Sequence, residues 1–266
     1  MLLSDDGLRH FYTKGYALAS PGLGAPAARS LLRRVQSVEG RPGSDVFEAD
    51  GQTLRARHGL HLDDTDLRDL ARQADLLATV QKLLGADVYI YQFKVNTKAA
   101  FTGAPWPWHD DYSFWHLEDG MPGPYALTVA VFLDEVTDLN GPMMLVPGSH
   151  LEHEFGTLRA DATGAWEENV SVDLRYQSSR SKVTDLASRY GVKSCVGTPG
   201  SVLFFDCRIL HASAGNISPF ARRIAFITYN RVDNVPGRFD RPEFLVARTH
   251  AALSPSVLPV MDSSSD

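Results

Sequence analysis

The chain has 266 residues, 44% hydrophobic and 22% charged, which suits one large globular domain with a substantial core. A net charge of −6 gives no electrostatic reason to expect nucleic acid or an anionic membrane as a partner. No apolar run is long enough to span a bilayer, no basic-then-apolar leader opens the chain, and Cys195 and Cys207 make no disulfide framework, so a cytoplasmic protein acting on a small molecule is expected.

Asp5 to Lys14 and Ala25 to Val38 carry apolar residues at helical spacing, the second after the breakers PGLGAP. DGQ at 50–52, between FEA and TLRARHGL, predicts a short hairpin. Leucines at 67, 70, 76, 77, 83 and 84 predict two short helices ending near Gly85. The character then changes. Asp87 to Thr97, 126–136, the MMLV run after Asn140-Gly141-Pro142, 201–206 and 223–232 all read as strands rich in β-branched and aromatic residues. Short strands between Gly, Pro and Asn turns argue for a mainly β sandwich or barrel core with flanking helices. The expected organisation is a single domain, 1–266. It has a mostly helical part at 1–86, a β core at 87–232 interrupted by a polar insertion at 151–193, and an irregular extension at 233–266. The insertion reads as partly helical, a candidate lid. RPEFLVAR in the extension is expected to pack on the core.

The stretch PWPWHDDYSFWHLEDGMP (105–122) gathers histidines, acids and tryptophans at unusual density. If Trp108 to Tyr112 is extended, His109 and Asp111 share a face and Asp110 points the other way. A His-x-carboxylate pair supplies two ligands of a 2-His-1-carboxylate triad for non-haem Fe(II). His211, where the apolar strand GSVLFFD has left the core, is the candidate third ligand. Arg222 follows eleven residues later, beyond the turn GNISPFA. An antiparallel return across that turn would put its guanidinium on the wall of the same cavity, where it could take a carboxylate bidentately. A metal with open positions and a carboxylate-binding arginine are what a 2-oxo-acid cosubstrate requires. The plainer alternative is that His109 and His211 are ordinary hydrogen-bonded histidines.

QFKVNTKAAFTG, WPWHDDYSFWHLEDGMP, NGPMMLVPGSH and HASAGNISPFAR together resemble the phytanoyl-CoA dioxygenase family of Fe(II)/2-oxoglutarate oxygenases. The second motif is similar to the ectoine hydroxylase signature. FEADGQTLRARHGLH, DVYIYQFKVNTK, FITYNRVDN and DRPEFLVAR look closer to bacterial hydroxylases of free amino acids such as proline or leucine, some from peptide-antibiotic pathways. The resemblance implies a double-stranded β-helix (jelly-roll) core, Fe(II) held by His109, Asp111 and His211, and 2-oxoglutarate and O2 as cosubstrates. It implies that Arg222 and Ser213 take the distal carboxylate of 2-oxoglutarate. It places Gln92, Asn96 and Thr128 in the cosubstrate or substrate pocket, Trp115 on the substrate wall, and Arg241 near the substrate carboxylate. The presence of Asp111 implies hydroxylation rather than halogenation.

Other residues carry plainer expectations. His116, Glu118 and Asp119 are expected to cap or hydrogen-bond the first site, not to form a second metal centre. Trp106 and Trp108 are expected to pack around the ligands. His150 and His153 read as turn and surface residues. Arg55, Arg57, His58 and His61 read as an exposed hairpin patch, with lining of the substrate mouth as the alternative. Lys94 and Lys98 are left unassigned. The expected function is hydroxylation of an unactivated C–H bond of a free L-amino acid, with ectoine as the alternative substrate. A zinc hydrolase would also fit two histidines and an aspartate, but Arg222 and the lack of an evident general base argue against it.

Overall fold

A computed structural model describes residues 1–162 and 173–256. Its first strands are β1 (Tyr16–Ala19), β2 (Asp45–Phe47), β3 (Leu54–His58), β4 (Val88–Lys98), β5 (Trp106–His109) and β6 (Ala126–Phe132). There follow β7 (Met143–Leu145), β8 (Thr157–Leu158), β9 (Tyr176–Gln177) and β10 (Lys193–Cys195), then β11 (Val202–Asp206), β12 (His211–Ser213) and β13 (Arg222–Arg231). A seven-stranded sheet, β1-β11-β6-β13-β4-β3-β2, faces a four-stranded sheet, β10-β7-β12-β5. The pairings in both are antiparallel. This is a mainly β, jelly-roll core.

Strand alternation decides what each face meets. On β6, Leu127, Val129 and Val131 join the cluster under the helices, whereas Ala130 and Phe132 belong to the cluster between the sheets. The helices α1 (Asp5–Lys14), α2 (Ala25–Ser37), α3 (Leu60–Asp63), α4 (Thr65–Ala71) and α5 (Ala74–Leu84) belong to the N-terminal third. Leu31 of α2, Leu67 of α4 and Val80 of α5 are at most 1% exposed. Burying each against the sheet stabilises the fold by roughly 1.5–3 kcal/mol. Two elements complete the helical set, α6 (Asp111–Asp119) and α7 (Arg180–Tyr190). No helix among the described residues is long and apolar enough to cross a membrane.

Three features depart from the sequence reading. The β sheet is not confined to 87–232, because β1, β2 and β3 of the mostly helical N-terminal part complete the seven-stranded sheet. The extended run stops short of Tyr112: β5 ends at His109, Asp110 is an N-cap that keeps β-region dihedrals, and Asp111 opens α6. Third, β12 and β13 are not a hairpin, since β12 lies in one sheet and β13 in the other. The insertion contains β8, β9, α7 and β10, and its residues 163–172 lie outside the described range. In the C-terminal extension, Phe244 to Ala247 pack against Tyr89, Tyr91 and Trp115.

Candidate active site

The two candidate imidazoles come from neighbouring strands. His109 and His211 are direct cross-strand partners of β5 and β12, with ring centroids 4.2 Å apart. His109 Nδ1 lies 2.7 Å from the carbonyl of Pro107, and His211 Nδ1 lies 2.9 Å from that of Ile209. Donation to those carbonyls puts the proton on Nδ1 and turns each Nε2 lone pair inward. The carboxylate arrives from the strand-to-helix turn. Asp111 Oδ1 is 4.0 Å from both Nε2 atoms, too far for a hydrogen bond. The three donor atoms lie within 4.8 Å of one another. A point equidistant from them is roughly 2.2–2.5 Å from each, close to ordinary metal–nitrogen and metal–oxygen lengths. This is the only such cluster of three among the described residues. Burial, together with His211 and Lys94, holds the His109 pKa well below its ordinary value, so the ring is neutral and able to ligate.

Asp110 has a different task, although it neighbours Asp111. Its carboxylate accepts from Ser113 N at 2.7 Å and Ser113 Oγ at 2.8 Å, and lies 3.0 Å from His153 Nε2. It caps α6 and so fixes where the helix delivers Asp111. Gly120, at φ 68°, closes the other end of that helix.

Across the cavity, Arg222 begins β13, opposite Lys98 of β4. Its side chain is 1% exposed; Nη2 donates to the carbonyl of Gly141, and among the described residues it forms no ion pair and Nε has no partner. Burial lowers its pKa to about 9, so it remains a cation at neutral pH. Ser213 Oγ and Asn96 Oδ1 are also buried without partners, and both residues line the same cavity. Three orphaned polar atoms in one enclosed space fit a small polar molecule that carries a carboxylate. Gln92 and Thr128 line it too. Gln92 Nε2 donates to the Leu245 carbonyl at 2.5 Å, and Thr128 Oγ1 lies 3.0 Å from Thr228 Oγ1. Lys98 lies behind Arg222, its pKa lowered to about 6 by burial and the neighbouring arginines.

The structure therefore brings all ten sequence-derived residues to one cavity, Trp115 and Arg241 included. Arg241 is already balanced: Nε and Nη2 bond to the Asp119 carboxylate at 2.8 and 2.6 Å. That pairing occupies Asp119, while Glu118 bonds Tyr176 and Arg175, and His116 Nδ1 contacts the Met121 carbonyl. These three sit on α6 and serve packing. His150 is buried at 3% exposure with Nε2 3.1 Å from the Tyr12 carbonyl, so it is not a surface residue, and His153 is held by Asp110. The expected exposed patch is also mostly internal. Arg55 is 1% exposed, paired with Glu48 and stacked 3.7 Å over Trp106, and His58 is 2% exposed on the cavity wall. Of the polar lining residues, Lys94 was unassigned, and His58 takes the alternative expected of its patch, a place on the cavity wall. Strand periodicity is the signal for Lys94, since it shares a face with Gln92 and Asn96. The bulge in β4 falls earlier, at Tyr91, where the register passes from Gln92 to Ile90.

A jelly-roll core, a facial set of two imidazoles and one carboxylate, and a buried unpaired arginine opposite define an Fe(II)/2-oxoglutarate-dependent dioxygenase. The chain belongs to the phytanoyl-CoA dioxygenase family, whose model matches residues 11–224. It is 41% identical over 238 residues to the L-proline trans-4-hydroxylase of Streptomyces griseoviridis, covering 88% of each chain. It is 35% identical over 222 residues to the ectoine dioxygenase of Stutzerimonas stutzeri, covering 82% of this chain and 73% of the relative. The structure of EctD from S. alaskensis with 2-oxoglutarate and 5-hydroxyectoine superposes with a TM-score of 0.81 at 31% identity, covering 97% of this chain and 89% of that one.

Proposed function

We propose that this protein hydroxylates a free L-amino acid, with L-proline the first candidate, using Fe(II), 2-oxoglutarate and O2. The observation that carries the reading is the meeting of His109, Asp111 and His211 across one cavity from Arg222, which forms no ion pair among the described residues. In this reading the three ligands hold iron. Arg222 and Ser213 hold the distal carboxylate of 2-oxoglutarate, with Gln92, Asn96 and Thr128 lining its surroundings. When bound, iron and cosubstrate supply an oxidant able to replace C–H by C–OH, with succinate and carbon dioxide as the other products.

The chain's own part is positioning and exclusion of water. The Pro107 and Ile209 carbonyls keep both imidazoles in one tautomer and orientation. Asp110 anchors the helix turn that presents Asp111. Trp115, Phe114 and Leu174 wall the substrate side, and Leu245 closes it from the C-terminal extension. The salt bridge from Arg241 to Asp119 ties the C-terminal extension to α6 beside that wall. The 41% identity to a proline hydroxylase supports proline over other amino acids. Ectoine is the second reading, supported by the EctD match and by Trp115 on the substrate wall. A zinc hydrolase is set aside by membership of a dioxygenase family.

The test is succinate release under air, with and without Fe(II), across L-amino acids and ectoine, with mass spectrometry for the gain of one oxygen. L-proline should yield a hydroxylated product with matching succinate. Product from ectoine alone would replace the first reading with the second, and iron-independent turnover would sink both.

A further inference from the structure

We infer that Lys94 and His58, cross-strand partners on β4 and β3, form the head-group site for the amino-acid substrate, with Lys94 binding its carboxylate and His58 accepting a hydrogen bond from its amino group. The inference rests on the amino-acid reading above and gives it two residues.

Three observations point this way. The first is charge. Two basic side chains line the cavity beside Arg222, Lys94 and Arg241. Arg241 is bidentate to Asp119, whereas Lys94 makes no ion pair and donates no hydrogen bond among the described residues. Its nearest aromatic contact is loose, 5.7 Å from Nζ to the Phe226 ring. An ammonium with three unused donors in an enclosed site is costly unless an anion joins it.

The second is position. Along β13 and β4, Arg222 stands opposite Lys98, and Lys94 is four residues further on. That separates the two backbone positions by roughly 13 Å along the sheet. Arg222 and Lys94 therefore address different ends of the cavity. The Lys94 end is where the C-terminal extension closes in, with Leu245 on the lining and Phe244 6.2 Å from the His58 ring.

The third is His58. The register sets it directly opposite Lys94, and both ring nitrogens are buried with no partner among the described residues. Burial, Lys94 and Arg241 lower its pKa to about 3, so the ring is neutral and offers one donor and one acceptor. A lysine and a neutral imidazole opposite each other on adjacent strands have side chains about 5 Å apart at their bases. They match a small molecule bearing an anion and an N–H group on one carbon.

The experiment uses the Fe(II)-loaded full chain, with the amino acid that undergoes hydroxylation, L-proline first, and its primary amide as paired substrates. Wild type should prefer the acid over the amide by on the order of 100-fold in kcat/KM, the scale of one lost charged partner. Lys94→Met should bring that ratio to within about threefold, with KM for 2-oxoglutarate moved less than about twofold, and Lys94→Arg should restore at least about tenfold preference. His58→Leu should raise KM for acid and amide alike and leave their ratio unchanged, because the amino group is common to both. A wild type that does not discriminate overturns the inference without any variant. So does a Lys94→Met enzyme that keeps its preference, or one whose defect lies in KM for 2-oxoglutarate. If ectoine proves to be the substrate, the amino-acid reading falls, and ectoine against its amide puts the same question to Lys94.

Discussion

Asp110 and Asp111 are adjacent acids with opposite burdens, and substituting each in turn separates folding from chemistry. Asp110→Ala removes an N-cap, which costs about 1–2 kcal/mol. It also takes away the acceptor that His153 contacts, worth about 1 kcal/mol more. Ser113 Oγ keeps one partner, the amide of Gly156, which limits the loss. The sum, about 2–3 kcal/mol, corresponds to a melting temperature lower by about 5 °C for a chain of this length. Asp111→Ala removes a carboxylate with no hydrogen bond among the described residues, so the melting temperature of metal-free protein should move by no more than about 1 °C. Its effect should appear in iron content, which falls below stoichiometric, and in hydroxylation, which drops by more than about 1000-fold. Asp110→Ala should retain iron and measurable turnover below its melting point. Thermal melts, metal analysis and succinate release on the two variants complete the test. If Asp110→Ala loses iron as fully as Asp111→Ala, or if Asp111→Ala is the one that unfolds, the division between the two acids is wrong.

Arg222→Leu should raise KM for 2-oxoglutarate by on the order of 100-fold or more while leaving iron binding intact, as read by cosubstrate titration and metal analysis. Gly141→Ala should act on the same step from outside the cavity. Gly141 has φ +78°, an added Cβ would lie 2.5 Å from Lys98 Cδ and 2.7 Å from the Ala214 carbonyl, and the Gly141 carbonyl accepts from Arg222. A loss of roughly 1–3 kcal/mol in denaturant unfolding and a higher KM for 2-oxoglutarate are expected together. Acid should destabilise the fold through buried neutral histidines. Burial lowers the pKa from 6.5 to about 3 for His58 and to about 4 for His61, so between those values and 6.5 the unfolded chain holds protons that the native one lacks. Stability present above pH 6.5 is then lost as pH falls, by about 2–3 kcal/mol for each residue at pH 4.5. His61→Leu should remove one histidine's share, about 2–3 kcal/mol, from the stability lost between pH 7 and 4.5 in urea melts, with the rest left to the other buried histidines; an unchanged slope would refute the assignment.

The strands that build the core were legible because alternation and turn residues are local signals. β4, β11 and β13 fall within a residue of their expected limits, and β6 starts where expected but ends four residues early, at Phe132. β1 was not legible, since four residues between two helices carry too short a pattern and gain strand geometry only by pairing with β11. Helix α6 was missed for a related reason. Its aromatic residues favour strands in isolation, and what decides the helix is the Asp110 cap together with burial of Phe114 and Trp115. The grouping of His109 with Asp111 survived that error, because a strand that ends in a capped helix turn also brings residues i and i+2 to one side. The interior placement of Arg55 and His58 was hidden because polar residues in a hairpin read as solvated. Only the three-dimensional pairing of β2, β3 and β4 shows that this hairpin forms the cavity's flank.

The parts of the cavity have different origins. Both imidazoles and Arg222 come from hydrogen-bonded ladders, whereas Leu174 and Leu245 come from segments outside either ladder. A lineage can therefore exchange those two segments, and with them the shape presented to the carbon under attack, while every rung that holds the oxidising chemistry is inherited unchanged.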